Sequence, residues 1–264
     1  MENLQGKLSL AEISLGVACP MANEGEEGVR FVSEVLKACE AVGRTRFFAV
    51  LDRVTRDNTR ELLESYALTD SRLSVVWAPE NRCVVDAYMR GYREALAWGA
   101  DWILEIDAGF SHQPREIPRF FEPMIEGCHC AFGSRFMKGA AIENSSFTRR
   151  FVSYGGTLLT NLLIGTRMRD MTSGFEMFTR ETLEMVLARG IHSRAHFFQT
   201  EIKIHCRGLK FVEVPITYQM ASPGLSSGPV SEAFEQLWRL FKLRLTGKLD
   251  QPSPSTECLT RPAL

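Results

Sequence analysis

Residues 101–112 read DWILEIDAGFSH, an apolar run that ends in a single carboxylate and opens into a polar loop. The run Trp102-Ile103-Leu104 has the composition of a buried strand, and Asp107 stands where such a strand would end. Apolar runs of similar length recur along the chain, at 13–20, 46–52, 72–79 and 128–134. Because helical patterns separate these runs, we predict an α/β protein with a mostly parallel sheet and helices on both faces.

The residues at the ends of these predicted strands indicate ligand binding. In a parallel α/β sheet, ligands bind beyond the carboxyl ends of the strands. Pro20, Asp52, Pro79 and Asp107 all fall at those ends. The first 110 residues are therefore predicted to form a Rossmann-like half that binds a nucleotide.

After residue 135 the pattern changes. Helices are predicted at 147–165 and 196–208, and strands at 174–180 and 209–219. A Gly/Ser/Pro loop follows at 221–229, then an amphipathic helix at 230–249 and a disordered tail at 250–264. No internal repeat is found, so we expect one domain over residues 1–249.

The composition excludes several classes of function. The 264 residues carry a formal net charge of −1, which gives no electrostatic reason to bind nucleic acid. The seven cysteines follow no disulfide or metal-ligand spacing, so they are predicted to be reduced thiols in a cytoplasmic protein. The sequence contains no secretory signal and no apolar run long enough to span a membrane.

Two strand-end carboxylates, Asp52 and Asp107, are the first candidates for chemistry. Each can accept hydrogen bonds from ribose hydroxyls or bind a divalent metal, and each can instead cap a helix. For Asp52 the two interpretations stay open. For Asp107 we favour function, because Gly109, Ser111 and His112 make its loop open and polar.

Other polar residues have both a functional and a structural interpretation. Glu24 could bind a ribose diol or act as a first-turn helix acid. Arg135, two residues after Gly133, could pair with a phosphate or form a surface salt bridge. His112 could transfer a proton, bind a metal or cap the helix near Pro114. Asp170, Glu201 and Glu213 are candidate polar groups for an acceptor pocket, and Glu213 could instead face solvent on a strand.

The helix predicted at 230–249 has an apolar stripe and a basic flank. Phe234, Leu237, Trp238, Phe241 and Leu245 recur at helical spacing, and Arg239, Lys242, Arg244 and Lys248 are the charges that follow Glu235. One interpretation is a helix in the membrane interface, and the other is a helix packed on the core. We favour the membrane interface.

Taken in order, residues 13–220 resemble family 2 glycosyltransferases, in the branch of dolichol- and polyprenol-phosphate mannosyltransferases. The motifs that carry the resemblance are PMANE (20–24), VLDRVTRDNT (50–59), IDAGFSHQPREIP (106–118), FGSRF (132–136), DMTSGFEMF (170–178), FFQTEI (197–202) and GLKFVEVPITY (208–218). The resemblance implies a GT-A fold, a UDP- or GDP-linked sugar donor, and inversion at the anomeric carbon. It divides the chain into an N-terminal extension (1–12), a donor-binding half (about 13–135), an acceptor half (about 136–229) and the amphipathic helix.

The resemblance also implies roles for individual residues. Catalytic roles fall to Asp107, Asp170 and Arg135, and Asp170 and Glu201 would lie near the acceptor. The residues implied to bind the nucleotide sugar are Pro20, Glu24, Asp52, Arg53, Arg82, Asp107, Ser134 and Arg135. Glu24 and Asp52 would contact the nucleoside, and Arg135 would face the phosphate region.

The departures from the family pattern gather on the donor side. Arg53 replaces the second acid of an Asp-Asp pair, and Gly109 replaces the second acid of Asp-x-Asp. Glycines expected within 81–87 are absent, as are basic residues expected within 221–227. Mg²⁺ or Mn²⁺ would then be held by Asp107 with Ser111 and His112. Alternatively, Arg53 or Arg82 would offset the diphosphate charge.

The expected function is transfer of a hexose from the nucleotide sugar to a polyprenyl or dolichyl phosphate, or to a related glycan acceptor. Such a lipid phosphate needs no general base, since it is largely dianionic at neutral pH. It would reach the site past the loop 145–150 and the helix through Leu162 and Leu163, with Arg149 and Arg150 supplying charge. The protein would be in peripheral contact with the cytoplasmic face of the membrane. The alternatives are a non-catalytic scaffold that has lost donor binding and, ranked last, a phosphosugar nucleotidyltransferase, since no Gly-rich phosphate loop is present.

Overall fold

The structure is a computed structural model that describes residues 8–144, 147–219 and 227–251. The strands are β1 (Ser14–Pro20), β2 (Arg44–Leu51), β3 (Leu73–Trp77), β4 (Trp102–Glu105), β5 (Cys130–Ser134), β6 (Ala141–Glu143), β7 (Glu176–Thr179), β8 (Phe211–Pro215) and β9 (Thr217–Gln219). The helices are α1 (Gly25–Ala38), α2 (Thr59–Ala67), α3 (Val84–Trp98), α4 (Pro118–Ile125), α5 (Phe147–Ile164), α6 (Arg180–Arg189), α7 (Phe197–His205) and α8 (Ser227–Leu245).

Seven strands form the central sheet in the order β3-β2-β1-β4-β7-β5-β8. All neighbouring pairs in it are parallel except those of β7, which runs antiparallel to β4 and β5. The short strands β6 and β9 pair separately. The predicted mostly parallel sheet is confirmed, and its parallel strands bring their carboxyl ends to one edge.

Apolar side chains cover both faces of the sheet, as predicted. One cluster joins α1 and α4 to the sheet and includes Phe31 and Phe120. The other joins α3, α6, α7 and α8 and includes Tyr92 and Phe198. Helix α3 lies so close to β1 that a Cβ on Gly16 would stand 2.6 Å from the Ala95 Cβ, so this contact requires glycine.

Some elements differ from the sequence prediction. The helix predicted near Pro114 is a 3₁₀ turn at Pro114–Glu116 followed by α4, which contains Pro123. The pattern did not reveal α6 or β6. The single strand predicted over 209–219 is two strands, β8 and β9, which pair with different partners. Residues 221–226 of the predicted loop and 252–264 of the predicted tail lie outside the described residues. Residues 145–146 of the predicted lipid approach and the side chain of Arg149 also lie outside them.

Helix α8 packs on the core with one side and exposes apolar side chains on another. Leu237 and Leu240 are buried, on the side of the helix that packs against α5 and α7. Phe234, Trp238 and Leu245 are exposed. Across the described ranges, no helix combines the length and apolarity needed to cross a bilayer.

Candidate functional site

The loops after β1 and β2 are joined to one another at the carboxyl edge of the sheet. The Asn23 side chain accepts a hydrogen bond from the Arg56 amide at 2.9 Å and donates one to the Val54 carbonyl at 3.0 Å. The Thr59 hydroxyl accepts a hydrogen bond from the Glu24 amide at 2.8 Å. The two loops thus form one surface. Its connecting residues, Asn23 and Thr59, were not predicted from the sequence, although both lie in the quoted motifs.

Asp52 closes the turn that follows β2. Its Oδ1 accepts a hydrogen bond from the Val54 amide at 2.9 Å, and its carbonyl accepts one from the Thr55 amide at 3.0 Å. The carboxylate is half-buried, and Arg53 beside it is exposed. This arrangement leaves Oδ2 of Asp52 available to a ligand and leaves Arg53 at the tip of the turn.

Asp107 is held by two residues from different parts of the chain. Its Oδ1 accepts a hydrogen bond from the Tyr88 hydroxyl of α3, and its backbone amide donates to Nδ1 of His112 at 3.3 Å. Burial and the nearby Asp107 charge raise the pKa of Tyr88, so this hydroxyl stays a donor at neutral pH. About a third of the Asp107 side chain, 37%, remains accessible. Asp107 therefore presents a fixed carboxylate at the end of β4.

Gly109 and Glu24 lie against each other. Gly109 has a φ of +73°, which favours glycine, and a Cβ built on it would stand 3.3 Å from Oε2 of Glu24. Burial raises the pKa of Glu24, and the charges of Asp57 and Glu27 raise it further. Within the three described ranges, no group donates a hydrogen bond to the Glu24 carboxylate. The position that lacks the second acid of Asp-x-Asp is therefore next to a carboxylate from another loop.

Arg135 is fixed by a buried ion pair with Asp170. Its Nε and Nη2 donate to the two carboxylate oxygens at 2.7 and 2.8 Å, and its amide donates to Oδ2 at 2.9 Å. Although burial raises the pKa of Asp170, the Arg135 charge and hydrogen bonds outweigh it and lower that pKa to about 2. Asp170 is fully buried and also accepts a hydrogen bond from the Thr172 amide at 3.0 Å. The Arg135 guanidinium lies 5.4 Å from the centre of the Tyr218 ring.

A cavity of about 460 Å³ begins at these residues and extends between α5 and α8. Asp107, His112 and Arg135 line its polar end. Its apolar walls come from α5, α7 and α8 and include Phe151, Leu159, Phe197, Phe234 and Leu237. The cavity is therefore charged at one end and hydrocarbon-like along its length.

Two glycines of α5 widen this cavity. Gly155 and Gly156 line it, and a Cβ at either position would meet no atom within 4 Å. Two consecutive glycines inside a helix cost stability relative to alanine, and no packing contact requires them here. This glycine pair is the feature of the sequence that could have indicated the cavity.

A buried polar network lies beneath the polar end. Glu105 accepts hydrogen bonds from the Tyr92 hydroxyl and from the Gln199 amide, and it stands opposite Glu176 in the pairing of β4 with β7. Lys203 of α7 pairs with Glu176. Burial raises the pKa of Glu105 well above its usual value, and the Glu176 charge adds to the effect. The sequence pattern did not reveal this network, which ties α7 to the strand that carries Asp107.

Several predicted residues do not reach the cavity. Ser134 is fully buried, and its hydroxyl has no hydrogen-bond partner. Glu201 is also buried; it accepts from Ser193 and pairs with Arg239, which ties α7 to α8. Glu213 accepts hydrogen bonds from the Arg169 and Asp170 amides, so it supports the segment that carries Asp170.

Arg82 and Pro20 lie elsewhere along the same edge. Arg82 pairs with Asp86 at the start of α3 and lines a second, polar cavity of about 600 Å³ with Arg90 and Arg93. Pro20 is half-buried at the end of β1. Arg82 thus lines a different cavity from the one that Asp107 lines.

The predicted metal ligands next to Asp107 are largely engaged with the protein. Ser111 is buried, its carbonyl accepts a hydrogen bond from the Gln219 amide at 2.9 Å, and Nδ1 of His112 accepts from Asp107. In the described part of the chain, no group of three His, Cys, Asp or Glu side chains is arranged to hold a metal ion.

Sequence comparison relates the chain to one enzyme family. The profile of the family described as Glycosyl transferase family 2 matches residues 17–187. The polyprenol monophosphomannose synthase of Mycolicibacterium smegmatis is 29% identical over 238 residues, which cover 89% of this chain and 88% of that protein. The undecaprenyl-phosphate mannosyltransferase of Micrococcus luteus is 29% identical over 195 residues, covering 72% and 80%.

Comparison with solved structures supports the fold. Glucosyl-3-phosphoglycerate synthase from Mycobacterium tuberculosis, in complex with Mn²⁺, UDP-glucose and phosphoglyceric acid, superposes with a TM-score of 0.60 at 17% identity. That alignment covers 90% of this chain and 81% of the other. The same enzyme in complex with UDP gives a TM-score of 0.61 at 15% identity. The shared architecture is the GT-A fold.

Proposed function

Because this chain belongs to glycosyl transferase family 2, we propose that it transfers a hexose from a nucleoside diphosphate sugar to a polyprenyl phosphate, with inversion. A phosphate oxygen of the acceptor attacks the anomeric carbon. The bond from that carbon to the diphosphate oxygen breaks, and the nucleoside diphosphate leaves with the electron pair. The observation that carries the proposal is the cavity with Arg135 and Asp107 at one end and apolar walls along its length.

The acceptor half fits a lipid phosphate. A phosphate monoester has a second pKa of about 6, so at neutral pH it is mostly dianionic and attacks without a general base. Arg135 is a fixed cation at the polar end and can orient that phosphate. The apolar walls offer the isoprenoid chain a surface away from water. The curated relatives, named for polyprenol and undecaprenyl phosphate, support this acceptor class.

On the donor side, we assign the nucleoside to the surface formed by the loops after β1 and β2. Asp52 retains a free carboxylate oxygen there, Pro20 borders the surface, and Arg53 is exposed beside it. The diphosphate would then lie toward Asp107 and Arg135. UDP and GDP remain alternatives, because the described residues show no hydrogen-bonding pattern specific for one base.

The carboxylates of Asp107 and Glu24 fit a divalent cation that takes only two ligands from the protein. Mg²⁺ often uses only one or two carboxylates and completes its shell with substrate phosphates and water. Asp107 offers Oδ2, and Glu24 offers a carboxylate without a donor, next to the Cβ position of Gly109. We assign Asp107 and Glu24 as the protein ligands. The bound cation would supply positive charge to the departing diphosphate.

Replacing Glu24 by glutamine is expected to weaken Mn²⁺ binding in the presence of UDP or GDP about tenfold, since one of two anionic ligands becomes neutral. The measurement is the electron paramagnetic resonance signal of free Mn²⁺ during titration of the purified protein. Glu34→Gln, at an exposed carboxylate on α1 that pairs with Arg30, is the matched control. Equal Mn²⁺ affinity in Glu24→Gln and the control would remove Glu24 from the metal site.

An exposed apolar face surrounds the mouth of the cavity. It is formed by exposed side chains of α5 and α8, namely Phe151, Tyr154, Leu158, Leu162, Phe234, Trp238 and Leu245. Arg244 joins the two helices by donating to the Leu163 carbonyl at 2.6 Å, and Lys242 lies 5.6 Å from the centre of the Trp238 ring. Aromatic and aliphatic side chains with basic neighbours are typical of surfaces that dip into a lipid interface. We assign this apolar face as the membrane contact.

Replacing both Phe234 and Trp238 by serine is expected to lower binding to mixed phosphatidylcholine–phosphatidylglycerol vesicles about tenfold or more, because two large apolar side chains leave the interface. Vesicle co-sedimentation measures this. Leu68→Ser, on a Leu that is 90% exposed at the end of α2, is the control. Vesicle binding equal to that of the control would exclude the apolar face as the contact.

The function itself is tested by transfer of radiolabelled sugar from UDP- and GDP-linked hexoses to a polyprenyl phosphate in detergent. Formation of a lipid-phosphate-linked sugar supports the proposal and identifies the donor. Titration with UDP and GDP, with and without Mn²⁺, runs in parallel. Absence of transfer together with absence of nucleotide binding would favour the non-catalytic scaffold.

A further inference from the structure

His112 is almost wholly enclosed, yet it lines the cavity. Only 1% of the residue is exposed, and it borders the polar end beside Asp107 and Arg135. Its ring stacks on Phe175, with 5.0 Å between ring centres, and lies 5.4 Å from the ring of Tyr218. Aromatic packing on this scale fixes the plane of the imidazole.

The hydrogen bond at Nδ1 determines which nitrogen carries the proton. Nδ1 accepts from the Asp107 amide at 3.3 Å, and a nitrogen that accepts carries no hydrogen. The proton of the neutral ring is therefore on Nε2. Nδ1 also lies 3.7 Å from Oδ2 of Asp107, which is beyond hydrogen-bond distance.

Nε2 of His112 has no partner among the residues that the structure describes. Within residues 8–144, 147–219 and 227–251, no acceptor bonds to it, and it is not among the polar atoms enclosed by the core. His205 contrasts with it, because both of its ring nitrogens are enclosed without partners. The Nε2–H of His112 thus opens on the cavity that the residue lines, where a ligand can accept its hydrogen bond.

We infer that His112 donates this hydrogen bond to a phosphate oxygen of the acceptor, next to the guanidinium of Arg135. The inference rests on the proposed function and adds a residue that touches the nucleophile. A phosphate offers three strong acceptor oxygens, so a cation and a neutral N–H can bind it together. A neutral donor also keeps its proton, and the phosphate remains the dianion that attacks. This role replaces the metal-ligand role predicted from the sequence, because the ring has no free lone pair.

Three substitutions at His112 separate the roles of its aromatic packing, its Nδ1 and its Nε2. His112→Phe keeps the aromatic packing and removes both nitrogens. His112→Asn retains an acceptor near Nδ1 for the Asp107 amide but does not reach the position of Nε2. His112→Gln places an amide N–H near Nε2. Thermal unfolding of each variant verifies that it is folded.

The experiment measures the affinity of each variant for a short-chain, water-soluble polyprenyl phosphate and, separately, for UDP and GDP with Mn²⁺. A hydrogen bond to a charged group corresponds to about a tenfold change or more, so His112→Phe and His112→Asn should bind the lipid phosphate at least about tenfold more weakly. Nucleotide affinity should stay within about twofold in His112→Asn, which keeps an acceptor for the Asp107 amide, and His112→Gln should recover most of the loss.

The outcomes are distinct. Unchanged lipid-phosphate affinity in His112→Phe and His112→Asn would overturn the role of His112 and leave the proposed function standing. A selective loss of nucleotide affinity would instead place the Nε2–H on the donor diphosphate and also overturn the inference. A wild-type protein that binds no polyprenyl phosphate would overturn the proposed function, and the inference with it.

Discussion

Replacing Asp107 by asparagine is expected to lower kcat/KM about 10²–10³-fold while the fold is retained, as for the loss of one preorganised charge in an active site. The change is isosteric, and the amide oxygen can still accept the hydrogen bond from the Tyr88 hydroxyl. What disappears is the negative charge that attracts a cation to the diphosphate. Steady-state transfer of sugar to a polyprenyl phosphate measures the effect.

The control for this variant is the same substitution at Asp70. Asp70 pairs with Arg72 next to the start of β3, at the opposite edge of the sheet from Asp107. Transfer by Asp70→Asn should match the wild type, and both variants should unfold at similar temperatures. An Asp107→Asn protein with full turnover would show that the carboxylate after β4 is not part of the machinery.

Replacing Arg135 by alanine is expected to cause the largest combined loss of activity and stability. The acceptor phosphate loses its fixed cation, and we expect kcat/KM to fall about a thousandfold. Asp170, fully buried, loses the partner that keeps its pKa at about 2. Breaking a buried ion pair by removing one member costs about 3–5 kcal/mol of stability, so the unfolding temperature should drop as well.

A double variant separates the loss of activity from the loss of stability. Arg135→Met combined with Asp170→Asn removes both charges and keeps much of the volume, which should restore most of the stability. Activity should stay at the level of Arg135→Ala, since no cation faces the acceptor. Chemical denaturation and the transfer assay, run on all three variants, measure the two quantities. If activity returned together with stability, the ion pair would have only a structural role.

The sheet and its binding edge could be predicted because they depend on local patterns. Buried strands such as β1 and β4 are short apolar runs that end at turn residues, and α3 follows the helical period of apolar side chains. The carboxyl ends of parallel strands meet at one edge, so the positions of Asp52 and Asp107 followed from strand order alone. The bounds of α4 could not be predicted in the same way, because Pro123 interrupts its pattern.

The partners of the site residues could not be read from such patterns. The ion pair of Arg135 joins residues 35 positions apart in the chain, and the hydrogen bond from Gln199 to Glu105 spans 94 positions. The resemblance implied that Ser134 binds the nucleotide sugar, yet Ser134 is the last residue of β5 and is fully buried. The alternation of apolar and polar residues along a strand indicates the face of the sheet on which a side chain lies. It does not indicate which residues cover that face.

By itself, the sequence determined the fold class, the family resemblance and the edge of the sheet at which Asp52 and Asp107 lie, because each depends on residue type and spacing along the chain. Only the tertiary structure decided that Glu24 lies against Gly109, that Asp170 is covered by Arg135, and that α5 and α8 enclose an apolar cavity. Those contacts arise when distant segments pack around one core. How distant segments pack depends on the shapes of all the side chains around each contact. The spacing of residues within one segment does not specify those shapes.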